Sequence, residues 1–390
     1  EGILMLEEVK NVEKPAFSWD NANVYFMLTD RFNNGDKSND HSYGRKFDGK
    51  DEVGTWHGGD FKGVTEKLDY IKSLGMNAIW VTPIVEQVHG FIGGGAQGSF
   101  PFYGYHGYWA LDFTKIDKNL GSEEDFQRFI EEAHKRGIEA YVWLNPYRWS
   151  SGYTWSTDMD NEWKEKDMLI AGTSSPEYIT FNPGLPETRQ LIVNVIKEIL
   201  NNYNIDGILF DDYFYASGGT TEGSSAPDYA LYKASGTTMS IGDWRRRNVN
   251  DMVADCYNAI KETRPDVRFG ISPAGVSSKS VSRYSGLKTP SSYGVTASDW
   301  QYAQIYSDPL AWLEEGTIDF ISPQCYWLTT HSTAPFGPLT KWWSYAADYF
   351  GLHYYASHSV SYIASADKQS SWTELASQIK LNRQYVENNA

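Results

Sequence analysis

Cysteine is scarce in this sequence, with two residues, Cys256 and Cys325, in a chain of 390. A disulfide framework cannot rest on two cysteines, and we expect no bridge between them. Long apolar stretches are also missing, since no run of 18 apolar residues would form a membrane-spanning helix. No basic segment followed by an apolar one precedes Phe17, so we expect a mature or trimmed soluble protein without a signal peptide.

Basic residues are outnumbered, because 34 Lys and Arg stand against 50 Asp and Glu, for a net charge of −16. A surface of this sign repels nucleic acids and anionic membranes, so we expect neither as a partner. Aromatic residues reach 15%, and several cluster at predicted strand ends, where flat rings would stack on sugar faces. The expected partner is an oligo- or polysaccharide substrate, bound by a monomer.

Strand, loop and helix alternate along the chain, as a parallel α/β fold requires. Seven strands are predicted, at residues 24–29, 78–82, 139–144, 207–210, 268–271, 320–321 and 353–356. Helices are predicted at residues 61–74, 123–135, 187–201 and 249–263. A chain of this length with 41% hydrophobic residues suits one domain. An eighth strand is not evident: either the sheet stays short, or residues 3–6 supply it.

Three long loops, at residues 33–59, 86–105 and 216–240, each follow a predicted strand end. Long loops without regular structure are usually functional, and these interleave acidic and aromatic side chains. The alternative is loop decoration without a role in function.

The first of these loops carries oxygen ligands at short spacing, in the segments NNGDKSND and HGGD. Ca²⁺ takes ~6–8 oxygen ligands and accepts backbone carbonyls. The candidate calcium ligands are Asn34, Asp36, Asn39, Asp40, the carbonyl of Gly58, and Asp60. The alternative is a loop of Asx turns with solvated carboxylates.

The fourth predicted strand ends on two adjacent carboxylates, Asp211 and Asp212, which are the candidate catalytic residues. Neighbouring side chains on a strand point to opposite faces, so at most one would lie along the axis of a barrel unless the strand has already turned into loop. Glycosidases need two carboxyl groups, one as acid and the other as nucleophile or base. The alternative is a capping or salt-bridged pair.

Long segments of the chain resemble two families of sugar hydrolases. Residues 17–134 resemble the bacterial periplasmic or secreted α-amylases, through TDRFNNGDKSND, GTWHGGDFKGVTEKLDYIKSLGMNAIWVTP and GYHGYWALDFTKID. From about residue 133 onward the chain resembles a bacterial glycoside-hydrolase-like family distantly akin to family 10, through AHKRGIEAYVWLNPYRW, FNPGLPETRQ, IDGILFDDYFY, WRRRNVN, FGISPAG and IDFISPQCYW. Both resemblances imply a single (β/α)8 TIM barrel with its site at the carboxyl ends of the strands.

The two resemblances meet at AHKRGI, so we expect an amylase-like part with strands one, two and the start of three, and a second part over residues 135–390 with strands three to seven. Natural recombination would explain such a chimera. An abrupt switch inside one barrel favours engineered joining of two half-barrels.

The amylase resemblance implies a structural Ca²⁺ in the Asn34–Asp60 loop, and it places Tyr105 and His106 beside the sugar next to the cleaved bond. The second resemblance implies substrate-binding residues at four strand ends. These are Asn145, Tyr147 and Arg148, then Tyr213 and Tyr215, then Gln324, Tyr326 and Trp327, and finally His358, which a structural role would equally explain.

The chain also departs from the amylase pattern. Trp143 and Arg148 stand where amylases carry an Asp and a His after strand three, and Ser272 replaces the acid Glu after strand five. Starch hydrolysis by the amylase mechanism is therefore not expected. The second acid would be Asp212, Asp299, Asp308 or Glu222; alternatively, an N-acetyl group of the substrate acts as nucleophile, held by Tyr326.

We therefore expect a glycoside hydrolase that cleaves O-glycosyl bonds of a polysaccharide, with weak activity if the halves were joined artificially. The alternative is a catalytically silent carbohydrate-binding or scaffold barrel. The amylase resemblance implies a secreted or periplasmic location. Three arginines, Arg245 to Arg247, either bind acidic sugars or form the solvated start of a helix.

Overall fold

The computed structural model describes residues 23–94, 100–151, 168–172, 178–216, 222–359 and 370–387. Within these residues the central element is a seven-stranded, all-parallel sheet whose strands follow one another in chain order. Its strands are β1 (Val24–Met27), β2 (Ala78–Val81), β3 (Glu139–Leu144), β4 (Gly207–Phe210), β5 (Arg268–Ile271), β6 (Phe320–Ile321) and β7 (His353–Tyr354).

All seven predicted strands are confirmed, and the sequential parallel order is that of a (β/α)8 TIM barrel. In the part of the chain that the structure describes, β1 and β7 are the two edges of the sheet. Residues 3–6, predicted as one source of an eighth strand, lie outside the described residues.

Helices follow the strands and cover the sheet. They are α1 (Phe61–Glu66), α2 (Leu68–Ser73), α3 (Glu123–Lys135), α4 (Pro186–Asn202), α5 (Tyr229–Ala234), α6 (Ile241–Thr263), α7 (Trp300–Gln304), α8 (Pro309–Glu315), α9 (Phe336–Phe350) and α10 (Ser370–Glu387). The helix predicted at 61–74 is two helices, because the chain leaves helical geometry at Lys67, with φ −105° and ψ 7°. Helix α6 begins earlier than predicted because Ser240 caps it, accepting a hydrogen bond from the amide of Asp243.

Short antiparallel strands lie in and around the loop at residues 86–105 and in the segment between β3 and α4. Val85–Gln87 pairs with Ala110–Ile116, Phe91–Gly94 pairs with Phe100–Tyr103, and Tyr178–Phe181 pairs with both Arg148–Ser151 and Leu169–Ala171. Short 3-10 turns lie at Thr29–Arg31, Ser42–Gly44, Val281–Arg283 and Pro290–Tyr293. These additions lie in the segments that connect the strands to the following helices, where a barrel of this kind builds its site.

The two faces of the sheet bury different side chains. Ile208 and Phe210 of β4 belong to the large core shared with the helices, whereas Leu209 packs with Tyr141 and Phe320 in a smaller inner cluster. The inner face needs glycine, because a Cβ on Gly207 would lie 1.9 Å from the Tyr141 ring. This alternation fixes which side chain at each strand end points inward.

Both cysteines are buried and free, which confirms that no bridge joins them. Among the described residues, no helix is long and apolar enough to cross a membrane.

Candidate active site

The period of two along the strands brings three polar side chains to one place. Leu209 lies on the inner face of β4, so Asp211, two residues further, points the same way. The same spacing carries Tyr141 of β3 to Asn145, and Phe320 of β6 to Gln324. Their side chains meet at the carboxyl ends of the strands.

Asp211 is buried and held by two amides. Gln324 donates from Nε2 to Asp211 Oδ1 at 3.0 Å and to the carbonyl of Ser272 at 3.1 Å. Asn145 Nδ2 lies 3.5 Å from Asp211 Oδ2, and the backbone amide of Asp212 donates to Oδ1 at 2.8 Å. Burial raises the pKa of Asp211, while Arg148 and these donors oppose the shift.

Asp212 has a different environment although it is adjacent. Burial raises its pKa well above the usual range, and the negative charge of Asp211 adds to this effect. Its Oδ1 is buried without a hydrogen-bond partner among the described residues, as are Asn145 Oδ1 and Ser272 Oγ. Asp212 is therefore the member of the pair that burial and its neighbour's charge drive more strongly toward the protonated form.

Aromatic side chains and one cation surround the pair. The Arg148 guanidinium stacks 3.8 Å from the centre of the Tyr213 ring, and both aspartates contribute to raising the pKa of Tyr213 to about 12, after burial. Tyr326 lies close enough that burial and then both aspartates raise its pKa. Three of the predicted substrate-binding residues, Arg148, Tyr213 and Tyr326, are thus beside the carboxylates.

Tyr108 also lies at this site, although no sequence pattern selected it as a candidate. Burial raises its pKa, with further contributions from Asp211 and Tyr326. Its ring meets Trp143 edge to face, with centroids 5.5 Å apart. The only available signal was its position in the GYHGYW segment beside Tyr105 and His106.

Trp143 fills the inner position where an amylase-type carboxylate was missing. Its ring packs edge to face against Phe26 at 4.6 Å and Trp80 at 4.8 Å. An aromatic cluster therefore occupies this inner position of β3.

Tyr105 and His106 pack against other residues of the amylase-like part of the chain. The Arg31 guanidinium lies 3.7 Å from the centre of the Tyr105 ring, and His106 stacks with Tyr108 at 5.4 Å. Burial lowers the pKa of His106 to about 3, with help from the charges of Arg148 and Arg31, and its Nδ1 accepts the amide of Tyr108 at 3.0 Å. His106 is therefore a neutral ring that holds Tyr108 in place.

Two predicted substrate-binding residues are corrected by the structure. Tyr147 and Tyr215 are both 0% exposed. Burial and then Cys256, Asp251 and Asp255 of α6 raise the pKa of Tyr147, while Arg189 of α4 lowers it, which places its side chain between the sheet and the helices. Tyr215 packs edge to face on Tyr306 at 5.0 Å. Both stand an even number of residues after an inward-facing side chain, Asn145 or Asp211, so the chain turns beyond the strand ends and carries them into the core.

Trp327 and His358 lie at a contact with α10. His358 Nδ1 lies 2.9 Å from Gln378 Oε1, and its ring stacks on Phe336 at 4.9 Å. Gln378 Nε2 also donates to the carbonyl of Trp327 at 3.2 Å. Burial lowers the pKa of His358, so its ring is neutral and serves packing.

The other candidate acids have structural partners. Asp299 accepts the amides of Ser278 at 2.7 Å and Lys279 at 2.9 Å and caps α7. Asp308 pairs with Arg283, and Glu222 accepts the hydroxyl of Tyr306 at 3.1 Å. These contacts leave Asp212 as the acid nearest to Asp211 among the four candidates.

In the predicted calcium loop, Asp60 is occupied as a helix cap. Its two oxygens accept N–H groups of Gly63 at 2.7 Å, Gly35 at 3.2 Å, Asp36 at 2.8 Å and Asn39 Nδ2 at 3.2 Å. Asp36 itself accepts the amide and hydroxyl of Ser38, at 2.9 and 2.6 Å. These contacts hold the loop together, and the assignment of both carboxylates as calcium ligands stays a prediction.

The remaining loop residues leave oxygen atoms available. Asn34 Nδ2 donates to Asp40 Oδ1 at 2.7 Å, and a Cβ on Gly58 would lie 2.2 Å from that nitrogen. Asn34 Oδ1 and Asn39 Oδ1 are buried without a hydrogen-bond partner among the described residues. The described residues contain no cluster of three or more His, Cys, Asp or Glu side chains that would hold a metal.

The three arginines of the WRRRN segment divide between structure and surface. Arg245 is fully buried and forms a pair with Asp228, at 2.5 Å, and with the Tyr306 hydroxyl, at 2.7 Å. Arg246 pairs with Asp243 at 2.8 Å and Arg247 with Asp251 at 2.6 Å. Neither of the two predicted roles describes Arg245, which anchors the loop that follows β4.

A parallel barrel-type sheet with a buried carboxylate pair, amides and phenols at its strand ends defines a carbohydrate-active α/β barrel. The chain belongs to the Glycosyl hydrolase-like 10 family, whose model matches residues 103–374. The model of the α-amylase catalytic domain matches residues 26–173. Both resemblances are confirmed, and the matches overlap over residues 103–173 rather than meeting at residue 133.

Curated relatives come from both families. The periplasmic α-amylase of Escherichia coli strain K12 is 53% identical over 137 residues, which are 35% of this chain and 20% of that protein. The glycosyl hydrolase YngK of Bacillus subtilis is 32% identical over 324 residues, which are 81% of this chain and 59% of YngK. The chain thus covers less than two thirds of either relative.

The YngK match bears on the prediction of a chimera. Its 81% share of this chain exceeds everything that follows residue 133, so the match includes part of the amylase-like segment. An abrupt join at residue 133 is therefore not needed to explain the second resemblance, and engineered joining stays a prediction.

Solved structures show the fold. The crystal structure of an Anoxybacillus α-amylase matches with a TM-score of 0.51 over 95% of this chain and 80% of its own, at 18% identity. This likeness agrees with the seven-strand order described above.

Proposed function

We propose that this protein is a glycoside hydrolase that cleaves O-glycosidic bonds with Asp211 and Asp212. The observation that carries the proposal is the split between two adjacent buried carboxyl groups. One is surrounded by hydrogen-bond donors, and the other is driven toward its protonated form. Glycosidases need one carboxyl in each state.

Asp212 is the general acid in this proposal. Its raised pKa keeps a proton available for the leaving glycosidic oxygen at neutral pH. Asp211 is the ionised partner, fixed by Gln324 and Asn145, and it stabilises positive charge that develops on the sugar ring. The family membership supports this assignment of reaction class.

Two mechanisms are possible for Asp211. It attacks the anomeric carbon as a nucleophile or activates water, or it orients an N-acetyl group of the substrate that attacks in its place. Tyr326, whose pKa responds to both aspartates, is positioned to hold such a group. Hydrolysis of matched substrates with and without a 2-acetamido group separates these routes.

An oligo- or polysaccharide is the proposed substrate, and a secreted or periplasmic location is proposed because one relative is named a periplasmic α-amylase. The stacked Arg148–Tyr213 pair and Tyr108 provide aromatic and hydrogen-bonding surfaces suited to sugar rings. The proposal also includes a single barrel over residues 1–390 and a monomeric state, as the sequence analysis expects.

A structural Ca²⁺ in the loop after β1 is also proposed, with a smaller ligand set than the sequence predicted. The buried oxygens Asn34 Oδ1 and Asn39 Oδ1 lack partners among the described residues, and Asp40 lies beside Asn34. Burial raises the pKa of Asp40, a cost that a bound cation would remove. The Gly58 carbonyl completes the proposed set, and the bound ion would cross-link the loop.

The test is hydrolysis across a panel of aryl glycosides and polysaccharides by the protein and its Asp211→Asn/Asp212→Asn variant. Glu314→Gln serves as a control, because Glu314 is an exposed carboxylate on α8. Activity in the protein and the control but not in the double variant, at equal cooperative unfolding, would support the proposal. Sugar binding without turnover in any of the three would instead indicate a silent carbohydrate-binding barrel.

A further inference from the structure

An open cleft of about 720 Å³ lies away from the carboxylate pair, on the outside of the barrel. It is lined by Lys288, Ser292, Tyr293, Pro338, Lys341 and Tyr385. These residues come from the loop after β5, the start of α9 and the end of α10. Its volume is within the ~300–1,000 Å³ typical of small-ligand sites, and none of the residues around Asp211 contributes to it.

The charge of this cleft is opposite to that of the protein. The chain has a net charge of −16, yet the lining holds two lysines and no acidic residue. Within the described residues, neither Lys288 nor Lys341 has a carboxylate within 4.0 Å. Both ammonium groups lie instead near aromatic rings, Lys288 at 5.6 Å from Tyr345 and Lys341 at 5.2 Å from Tyr385.

The backbone of the cleft is fixed by the core beneath it. The carbonyl of Lys288 accepts the indole N–H of the buried Trp342 at 2.8 Å, and the amide of Lys288 donates to the Tyr345 hydroxyl at 3.3 Å. The Tyr293 and Tyr345 rings lie 5.8 Å apart, tilted by 30°. These contacts fix the backbone of Lys288 and set the Tyr293 ring against Tyr345 before a ligand arrives.

We propose that this cleft binds a carboxylate-bearing oligosaccharide, as a second glycan site separate from the catalytic one. Tyr293 offers a ring face for a sugar, and the two ammonium groups pair with its carboxylates. A neutral sugar gains only the stacking, and a polyanion without sugar rings gains only the charge. The combination selects an acidic glycan over either.

The experiment measures binding of oligogalacturonate to the full chain by calorimetry, with maltooligosaccharide and polyglutamate as comparisons. We expect saturable binding of oligogalacturonate alone. Lys288→Gln/Lys341→Gln should weaken it by about two- to thirtyfold, since two exposed ion pairs of ~0.2–1 kcal/mol each are lost and 1.4 kcal/mol is tenfold. Tyr293→Ala should weaken it as well, and Tyr293→Phe should retain it.

The matched control is Lys72→Gln/Lys233→Gln, which removes two exposed lysines elsewhere on the surface. Equal weakening in this control, equal binding of polyglutamate, or no saturable binding of oligogalacturonate would each overturn the proposal. Hydrolysis assays on short aryl glycosides separate this site from the catalytic one. Loss of binding with unchanged turnover assigns the effect to the cleft, whereas absent turnover with intact cleft binding contradicts only the catalytic proposal.

Discussion

Two buried acidic groups, one in each part of the chain, show how burial serves either stability or chemistry. In the amylase-like part, both carboxylate oxygens of Asp117 accept from Arg45 Nη1, at 2.7 and 2.8 Å. Asp117 also accepts the backbone amides of Gln87 and Asn119, each at 2.9 Å. Arg45 also lies 4.6 Å from the centre of the Trp56 ring. This cluster balances its charge internally.

The Asp211–Asp212 pair lacks that balance. Two carboxyl groups share one cation, Arg148, which opposes the rise in both pKa values without cancelling it. Several polar atoms around them have no partner among the described residues. The Asp117 carboxylate thus has a cation and two amide donors of its own, whereas the two aspartates, which we propose as catalytic, share a single cation.

The largest effect should come from replacing each aspartate in turn and measuring hydrolysis of substrates with poor and with good leaving groups. Asp212→Asn removes the proposed acid, so hydrolysis of polysaccharides should fall by about 10²–10⁴-fold, with a smaller loss on aryl glycosides whose leaving groups need no proton. Asp211→Asn should reduce both equally. Turnover numbers on the paired substrates measure this, and equal losses for Asp212→Asn would exclude its role as acid.

Breaking the balanced cluster should cost stability rather than chemistry. Arg45→Met leaves Asp117 buried without its cation, which destabilises by roughly 3–5 kcal/mol. Lys46→Met, which breaks the exposed Lys46–Glu52 pair at 2.6 Å, is the control and should cost ~0–1 kcal/mol. Urea unfolding compares the two, and similar midpoints would show that the Arg45 cluster is not a stabilising element.

Removing one charge from the Asp211–Asp212 pair should raise stability, whereas removing Arg45 from its cluster should lower it. The folded pKa of Asp212 is raised above its unfolded value of about 3.9. The contribution of this group to the free energy of unfolding is therefore fully present below that pH, and it is lost as pH rises through the raised folded pKa. Asp212→Asn cannot ionise and should be more stable than the parent protein, increasingly so at higher pH. Unfolding midpoints measured across pH check this, and a constant difference would contradict the raised pKa.

Activity should follow the same two groups. It should decline at high pH as Asp212 loses its proton and at low pH as Asp211 gains one, with both limbs above the range of free carboxyls because burial raises both pKa values. A pH profile of kcat/KM tests this. In Asp212→Asn the upper limb should disappear, and its persistence would assign that limb to another group.

The smallest expected effect concerns the loop after β1. Ca²⁺ at 100 times its Kd should stabilise the folded protein by about 2.7 kcal/mol, and Asp40→Ala should remove this gain. Asp51→Ala, which alters an exposed acid in the same loop, should keep it. Thermal unfolding with and without EDTA provides the measurement. An unchanged Tm on adding Ca²⁺ would leave the Asn34 and Asn39 oxygens as unpaired loop atoms.

The strands of the sheet could be predicted from the sequence because each one is a short β-branched or aromatic run bounded by helix and turn signals. It also located Asp211 and Asp212, since a strand that ends on two carboxylates is a local feature. It misplaced Tyr147 and Tyr215, because the side on which a residue falls after a strand ends depends on how the chain turns. Tyr108 was missed for the same reason.

The sequence by itself determined the alternation of strands and helices, the two family resemblances and the carboxylate pair, because all three are properties of neighbouring residues. Only the tertiary structure decided which of the two aspartates has the more strongly raised pKa and which candidate acids are helix caps or ion-pair partners. It also decided where two lysines form a cleft in an acidic protein. Those outcomes depend on burial and on contacts between residues far apart in the chain, which no local pattern records.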